Sequence, residues 1–209
     1  MKIVLFGDSI TDMNRDRTQD HNPFSIGMGY PFLVVDALSG QSLDKHLVIN
    51  RGIGGNRVVD LRDRIEYDVW GLEPDVLSIL VGVNDVWHGI NSNNGTKLDE
   101  FKACYEEIIA NTIKKLPNIK IMLLEPFFLV GNATKDNLDQ FNKVYDYAKV
   151  VKDIAEKYNL VFIPLQEKFN SLAEKFGAKH YLYDGVHPTV LGARVIADEW
   201  LKAFKEIEE

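Results

Sequence analysis

The chain has 209 residues, 45% of them hydrophobic and 26% charged, with a formal net charge of −7. The length suits a single domain over residues 1–209, and the composition lies well clear of disorder. The negative balance argues against a nucleic-acid backbone as the main partner, because such binders concentrate lysine and arginine. Neutral sugar, ester or peptide substrates stay open.

Met1-Lys2 leads directly into an apolar run at residues 2–6, the first predicted strand. No charged leader with a long apolar stretch precedes it, and no apolar run approaches a membrane span, so a cytoplasmic protein is expected. The run stops at Gly7-Asp8-Ser9-Ile10-Thr11 and a long polar loop, residues 12–29, follows. Helical spacing covers 30–38. A second strand at 47–50 ends in Asn50-Arg51-Gly52-Ile53-Gly54-Gly55-Asn56, and a weaker helical pattern covers 58–70. The third strand, 76–81, ends in Gly82-Val83-Asn84-Asp85. A strong helical pattern over 98–116 is closed by Pro117. The fourth strand, 120–124, gives way to a second long loop, 126–137. A helix over 141–158, a strand at 160–163 and a short helix at 165–176 stopping at Gly177 come next. Asp184-Gly185-Val186-His187-Pro188 precedes the last helix, 190–207, with Thr189 placed to cap it. The strands are continuous in hydrophobicity rather than alternating, as in parallel strands covered on both faces. Alternating β and α segments of this kind build an open parallel sheet between two helical layers, with sites outside the carboxyl ends of the strands.

The chemistry must come from that rim. Ser9 follows a strand, where backbone N–H groups and a helix dipole favour a developing oxyanion, although Gly-Asp-Ser is equally a turn or a helix cap. Asp184 and His187 are three apart. A carboxylate at that spacing can fix the imidazole tautomer and leave the other nitrogen as base; a surface pair capping a helix is the plainer alternative. The glycines at 52–55 let backbone N–H groups face a ligand, and Asn84 can donate from its side-chain amide; a turn and an Asx-turn are the alternatives. His21 and His180 are expected in loops, His46 before a strand and His88 in a rim loop. Cys104, the single cysteine, falls at an apolar helical position and is expected to be a buried small hydrophobe. There is no dinucleotide or P-loop pattern, no metal-ligand cluster and no G-x-S-x-G elbow, so no cofactor and no metal are expected. Four weak signals in four places together supply a nucleophile, a backbone donor, an amide donor and an acid–base pair.

Gly7-Asp8-Ser9-Ile10, Gly55 within Gly52-Ile53-Gly54-Gly55, Gly82-x-Asn84-Asp85 and Asp184-x-x-His187 resemble, in order and spacing, the four blocks of the SGNH (GDSL-type) hydrolases. The resemblance spans nearly the whole chain. It implies a three-layer α/β/α sandwich, flavodoxin-like, with a five-stranded parallel sheet, and serine-dependent ester hydrolysis. Ser9 would be the nucleophile, His187 the base and Asp184 its orienting partner. The N–H groups of Ser9 and Gly55, with the Asn84 amide, would hold the oxyanion. Gly55 is preferred to Gly54 by aligning Asn50 with the family's asparagine. Ile10 stands where the family has leucine. Asp8-Ser9-Ile10-Thr11-Asp12, Gly27-x-Gly29-Tyr30-Pro31 and Gly82-Val83-Asn84-Asp85-Val86-Trp87 look like the acetylxylan-esterase-type carbohydrate esterases. That likeness implies short acyl esters of carbohydrates, such as an acetylated oligosaccharide, as the small-molecule substrate. A lysophospholipase or thioesterase acting on longer chains is the alternative. Trp87 with Phe127 or Phe128 would form an aromatic wall beside the nucleophile, or else fill the core or a contact in a homo-oligomer.

Overall fold

A computed structural model describes residues 1–18, 22–39 and 45–208; His21 and part of the first long loop lie outside the described residues. Five strands, β1 (Lys2–Gly7), β2 (Leu47–Gly52), β3 (Val76–Leu80), β4 (Lys120–Leu124) and β5 (Val161–Ile163), form one parallel sheet in the order β2-β1-β3-β4-β5. Around it run α1 (Ser9–Asp12), α2 (Tyr30–Ser39), α3 (Val58–Asp68), α4 (Val83–Asn91), α5 (Leu98–Lys115), α6 (Leu138–Phe141), α7 (Val144–Tyr158), α8 (Gln166–Phe176) and α9 (Val190–Glu208). α3, α5 and α7 pack side by side, and α2 packs on α9. The α/β architecture expected from the sequence is therefore the one observed.

The central strand explains the continuous hydrophobicity. All five residues of β3 are buried. Its one polar member, Ser78, accepts at 2.9 Å from the indole N–H of Trp200 in α9, which is itself fully buried. Burying a hydroxyl and an indole N–H together leaves neither unpaired. Cys104 is buried as expected, with its thiol 3.6 Å from the Val58 carbonyl and pushed up to about 11 by burial.

Two elements differ from expectation. The helix expected over 141–158 is broken into α6 and α7 by Asn142 and Lys143. The segment after β3 was expected to be a loop but is a nine-residue helix, α4, and it carries His88. Only Val81 and Gly82 separate β3 from α4, and Gly82 makes the turn at φ +139°. A side chain there would sit in a conformation L-residues rarely adopt and would press a β-carbon to 3.0 Å from Pro126 Cγ.

Strand order reverses around β1, with β2 on one side and β3 on the other. The carboxyl ends of β1 and β3 therefore border the crevice where α/β sheets place their sites. Gly7 and Gly52 are register partners at the ends of β1 and β2. A β-carbon on Gly52 would lie 2.2 Å from the Asp12 amide nitrogen, and one on Gly7 would lie 2.5 Å from both the Leu80 carbonyl and Thr11 Oγ1. The paired glycines are a floor on which α1 lies flat. Gly52→Ala should therefore lift α1 and destabilise the protein by about 1–3 kcal/mol, the usual cost of overpacking a tight site. Urea denaturation measures it, and a loss under about 0.5 kcal/mol would contradict the close contact.

Candidate active site

Ser9 is the first residue of α1, and Asp8 caps that turn by accepting the Ile10 N–H at 3.0 Å. Asp8 is only 1% exposed. Burial pushes its carboxyl up to about 7, against the pull of the Ile10 hydrogen bond and of His187.

The far end of the chain returns to this point. Ser9 Oγ lies 3.0 Å from His187 Nε2, and His187 Nδ1 lies 2.7 Å from Asp184 Oδ2. Asp184 Oδ1 accepts from the Val186 and His187 N–H groups at 2.9 and 2.8 Å, closing a turn around Gly185 at φ +104°. Burial would raise the Asp184 carboxyl, but the hydrogen bonds from the His187 ring and the two amides outweigh it and hold the group below the ordinary aspartate range. The Asp184 hydrogen bond raises the His187 imidazole above its ordinary value, against partial burial. An ionised carboxylate only accepts, so Nδ1 carries the proton and Nε2 presents its lone pair to the serine hydroxyl. Thr189 caps α9 as expected, accepting the Gly192 N–H at 3.2 Å.

The second long loop braces this turn. Leu129 N–H donates to the Gly185 carbonyl at 2.7 Å, and Ala133 N–H donates to the Asp184 carbonyl at 2.8 Å. A β-carbon on Gly131 would lie 2.4 Å from Asp184 backbone atoms. Fully buried Thr134 fixes the loop by donating to the Leu129 carbonyl and accepting from Gly131 N–H.

The glycine segment after β2 lies on the opposite side of Ser9. A β-carbon on Gly54 would be 3.8 Å from Ser9 Cβ. Gly54 N–H is taken by Asp12 Oδ2 at 2.9 Å, whereas Gly55, at φ +83°, donates to no described residue. Of the two, only the Gly55 N–H is left free of a partner among the described residues. Asn50 itself is buried and ties the segment down, donating to the Thr11 and Ile26 carbonyls at 2.6 and 2.8 Å and accepting from Gly52 N–H. Asn84, in the first turn of α4, donates one amide hydrogen to the Asn56 carbonyl at 3.1 Å. Arg64 of α3 holds the strand ends together. It donates to the carbonyls of Gly7 (3.0 Å) and Arg51 (2.8 Å) and to Asn56 Oδ1 (2.7 Å), and lies over the Phe6 ring. Ser9, His187, Asp184, the 54–56 segment and Asn84 are thus gathered at one place on the rim.

The aromatic wall is only partly as expected. Trp87 packs against His187 with ring centroids 5.8 Å apart. Phe127 is fully buried against Phe169, and Phe128 is buried between Phe141 and Tyr145, so both fill the core. Their place is taken by Tyr183, unremarked in the sequence, which stacks on the His187 ring at 5.7 Å and is 57% exposed. His180 ends a short 3₁₀ turn, and His46 precedes β2 within reach of Glu208. Among the described residues no group of His, Cys, Asp and Glu could hold a metal ion, and no helix is long and apolar enough to cross a membrane.

A serine, an imidazole and a carboxylate linked in series at the carboxyl edge of a 2-1-3-4-5 sheet define the class to which the sequence pointed. The model of the GDSL-like lipase/acylhydrolase family matches residues 5–195, and the chain belongs to that family of serine carboxylic ester hydrolases. It is 35% identical to the acetylxylan esterase of Geobacillus stearothermophilus, over 96% of this chain and 92% of that one. The crystal structure of that esterase, Axe2, superposes with a TM-score of 0.86 at 33% identity, covering 97% of this chain and 93% of the other. A structure from Parabacteroides merdae ATCC 43184, provisionally assigned as a GDSL-like lipase, gives a TM-score of 0.91 at 35% identity, covering 97% and 94%.

The hydrogen bond from His187 to Asp184 can be tested without substrate. His187 should titrate above the ordinary histidine value of about 6.5. In Asp184→Asn it should fall to that value or below, since burial still acts and the carboxylate does not. NMR titration of the ring reads both, and an unchanged midpoint in the variant would contradict the pairing.

Proposed function

We propose that the protein hydrolyses short-chain esters, acetyl esters of carbohydrates above all, through an acyl-enzyme on Ser9. The observation that carries this reading is the unbroken series Ser9 Oγ–His187–Asp184, with bonds of 3.0 and 2.7 Å. His187 Nε2 takes the hydroxyl proton as Oγ attacks the ester carbonyl, and the C–O bond forms. The tetrahedral oxyanion is held by the Ser9 and Gly55 N–H groups and the free hydrogen of the Asn84 amide. His187 returns the proton to the leaving alcohol as the ester C–O bond breaks. Water, deprotonated by the same imidazole, then releases the acid and restores Ser9. No step needs a cofactor.

Two observations support a carbohydrate alcohol. The relative from G. stearothermophilus is an acetylxylan esterase. The exposed face of Tyr183, beside the imidazole that protonates the leaving group, is a surface on which a sugar ring stacks. A longer-chain acyl specificity has one observation in its favour, an apolar groove of about 610 Å³ lined by Phe24, Met28, Phe32, Leu33 and Val190. Neither Ser9 nor His187 lines it, which favours the short acyl group.

Initial rates on acetylated xylo-oligosaccharides, 4-nitrophenyl acetate and 4-nitrophenyl octanoate test the substrate. Preference for acetyl over octanoyl is expected, and clear preference for octanoyl would overturn the reading. Ser9→Ala should lose turnover down to a residual rate of roughly 10³–10⁴ over water, and Asn84→Ala should lose about 10²–10³ in kcat. Near-wild-type esterase activity in Ser9→Ala would end the acyl-enzyme proposal. The pH dependence follows from the base. Nε2 must be unprotonated, and the His187 pKa is raised, so kcat/KM should fall on acidification with its midpoint above about 6.5 rather than below it.

A further inference from the structure

Two side chains outside the mechanism flank the glycines beside Ser9. Asp12 is buried, and its Oδ2 accepts both the Gly54 N–H and the Arg17 guanidinium. The Arg17 side chain is 48% exposed. A β-carbon on Gly54 would lie 3.8 Å from Ser9 Cβ and 3.9 Å from Arg17 Nη2, so the guanidinium and the serine border the same small void. On the other side, a β-carbon on Gly55 would lie 3.9 Å from His88 Cε1 and 4.0 Å from Nε2. His88 stands four residues after Asn84 in α4, hence on the same helical face as the amide. Its ring makes no hydrogen bond to any described residue.

Resting on the reading above, we propose that Gly54 and Gly55 floor a polar subsite whose walls are Arg17 and His88, and that it binds the hydroxyl or carboxylate oxygens of the substrate next to the reacting ester. A guanidinium offers five N–H donors in a planar fork, and the Asp12 partner fixes its direction while leaving donors over. A neutral imidazole both donates and accepts, which matches a hydroxyl group. The bare glycines between them leave the space for the ligand. The cleft then has two unlike sides, an aromatic one at Trp87 and Tyr183 and a polar one at Arg17 and His88. That combination suits a polyhydroxylated alcohol, which has apolar ring faces and polar edges.

The test is a ratio, kcat/KM for acetylated xylo-oligosaccharide over kcat/KM for 4-nitrophenyl acetate, whose alcohol has no hydroxyl to bind. Arg17→Met and His88→Leu should each lower that ratio about tenfold, the size of one hydrogen bond to a charged or buried partner, mainly through KM of the sugar ester. Arg17 also braces Gly54 through Asp12, and loss of that bracing alone would lower both rates together and leave the ratio unchanged. His88 has no such bond and separates the two roles. An unchanged ratio in both variants overturns the subsite. If the wild type ignores the sugar ester, the carbohydrate reading fails. The same variants are then compared on glycerol monoacetate and ethyl acetate, where a selective loss on the hydroxylated ester upholds the subsite and its absence removes it.

Discussion

Everything at this site rests on how closely a turn can approach the edge of a parallel sheet. Gly7 and Gly52 stand side by side in register, and without side chains they let Thr11 and Asp12 of α1 come into direct contact with the strand ends. Ser9 is therefore held against the sheet itself rather than by a projecting loop. Arg64 reinforces the same edge from beneath, joining carbonyls at the ends of β1 and β2 to the Asn56 side chain. The proposed role of Ser9 as nucleophile would gain from such a support, because small displacements of reacting atoms are costly in rate.

The hydrogen-bonded pair of Asp184 and His187 is fixed by a different device. It sits in a loop far along the chain, where nothing in its own five residues would hold it against Ser9. The bracing loop after β4 does so, through backbone hydrogen bonds to Asp184 and Gly185 and a contact at Gly131 too close for any side chain. Electrostatics complete the arrangement. Asp184 is held below the ordinary aspartate range by its three hydrogen bonds, while full burial pushes the carboxyl of Asp8, the chain neighbour of Ser9, up to about 7. Burial thus raises one carboxyl, while hydrogen bonds lower the other.

Much of this could be read from the residues. The five strands were legible because both-face burial leaves an unbroken apolar run, as at Ile3-Val4-Leu5-Phe6. The strand ends were located within a residue or two because glycines mark them. Ser9, Asn84, Asp184 and His187 were legible because their chemistry recurs in a fixed order. What was missed has physical reasons. α4 was hidden because almost no connecting loop precedes it. Two residues, Val81 and Gly82, make the whole turn, and the helical spacing of Val83, Val86, Trp87 and Ile90 spans barely two turns. His88 was misplaced with it. Phe127 and Phe128 could not be sorted from Trp87 by type, since only the packing of Phe169, Phe141 and Tyr145 shows that the pair faces inward. Arg17 and Tyr183 carry no spacing signal. Each becomes notable only through its neighbours, Asp12 and the His187 ring.

The bracing loop has a consequence for how such a protein can be changed. Its backbone is fastened to the Asp184 turn at several points, with Thr134 buried inside it, so inserting or deleting residues between 126 and 137 would move the His187 imidazole itself. The aromatic side of the cleft is therefore tied to the Asp184–His187 turn. The Arg17 side hangs on one exposed guanidinium and its single buried carboxylate, and can be rebuilt without disturbing the imidazole. A library aimed at new alcohol specificities belongs on that arm, and grafts from relatives should keep residues 126–137 and 182–188 together as one transferable piece.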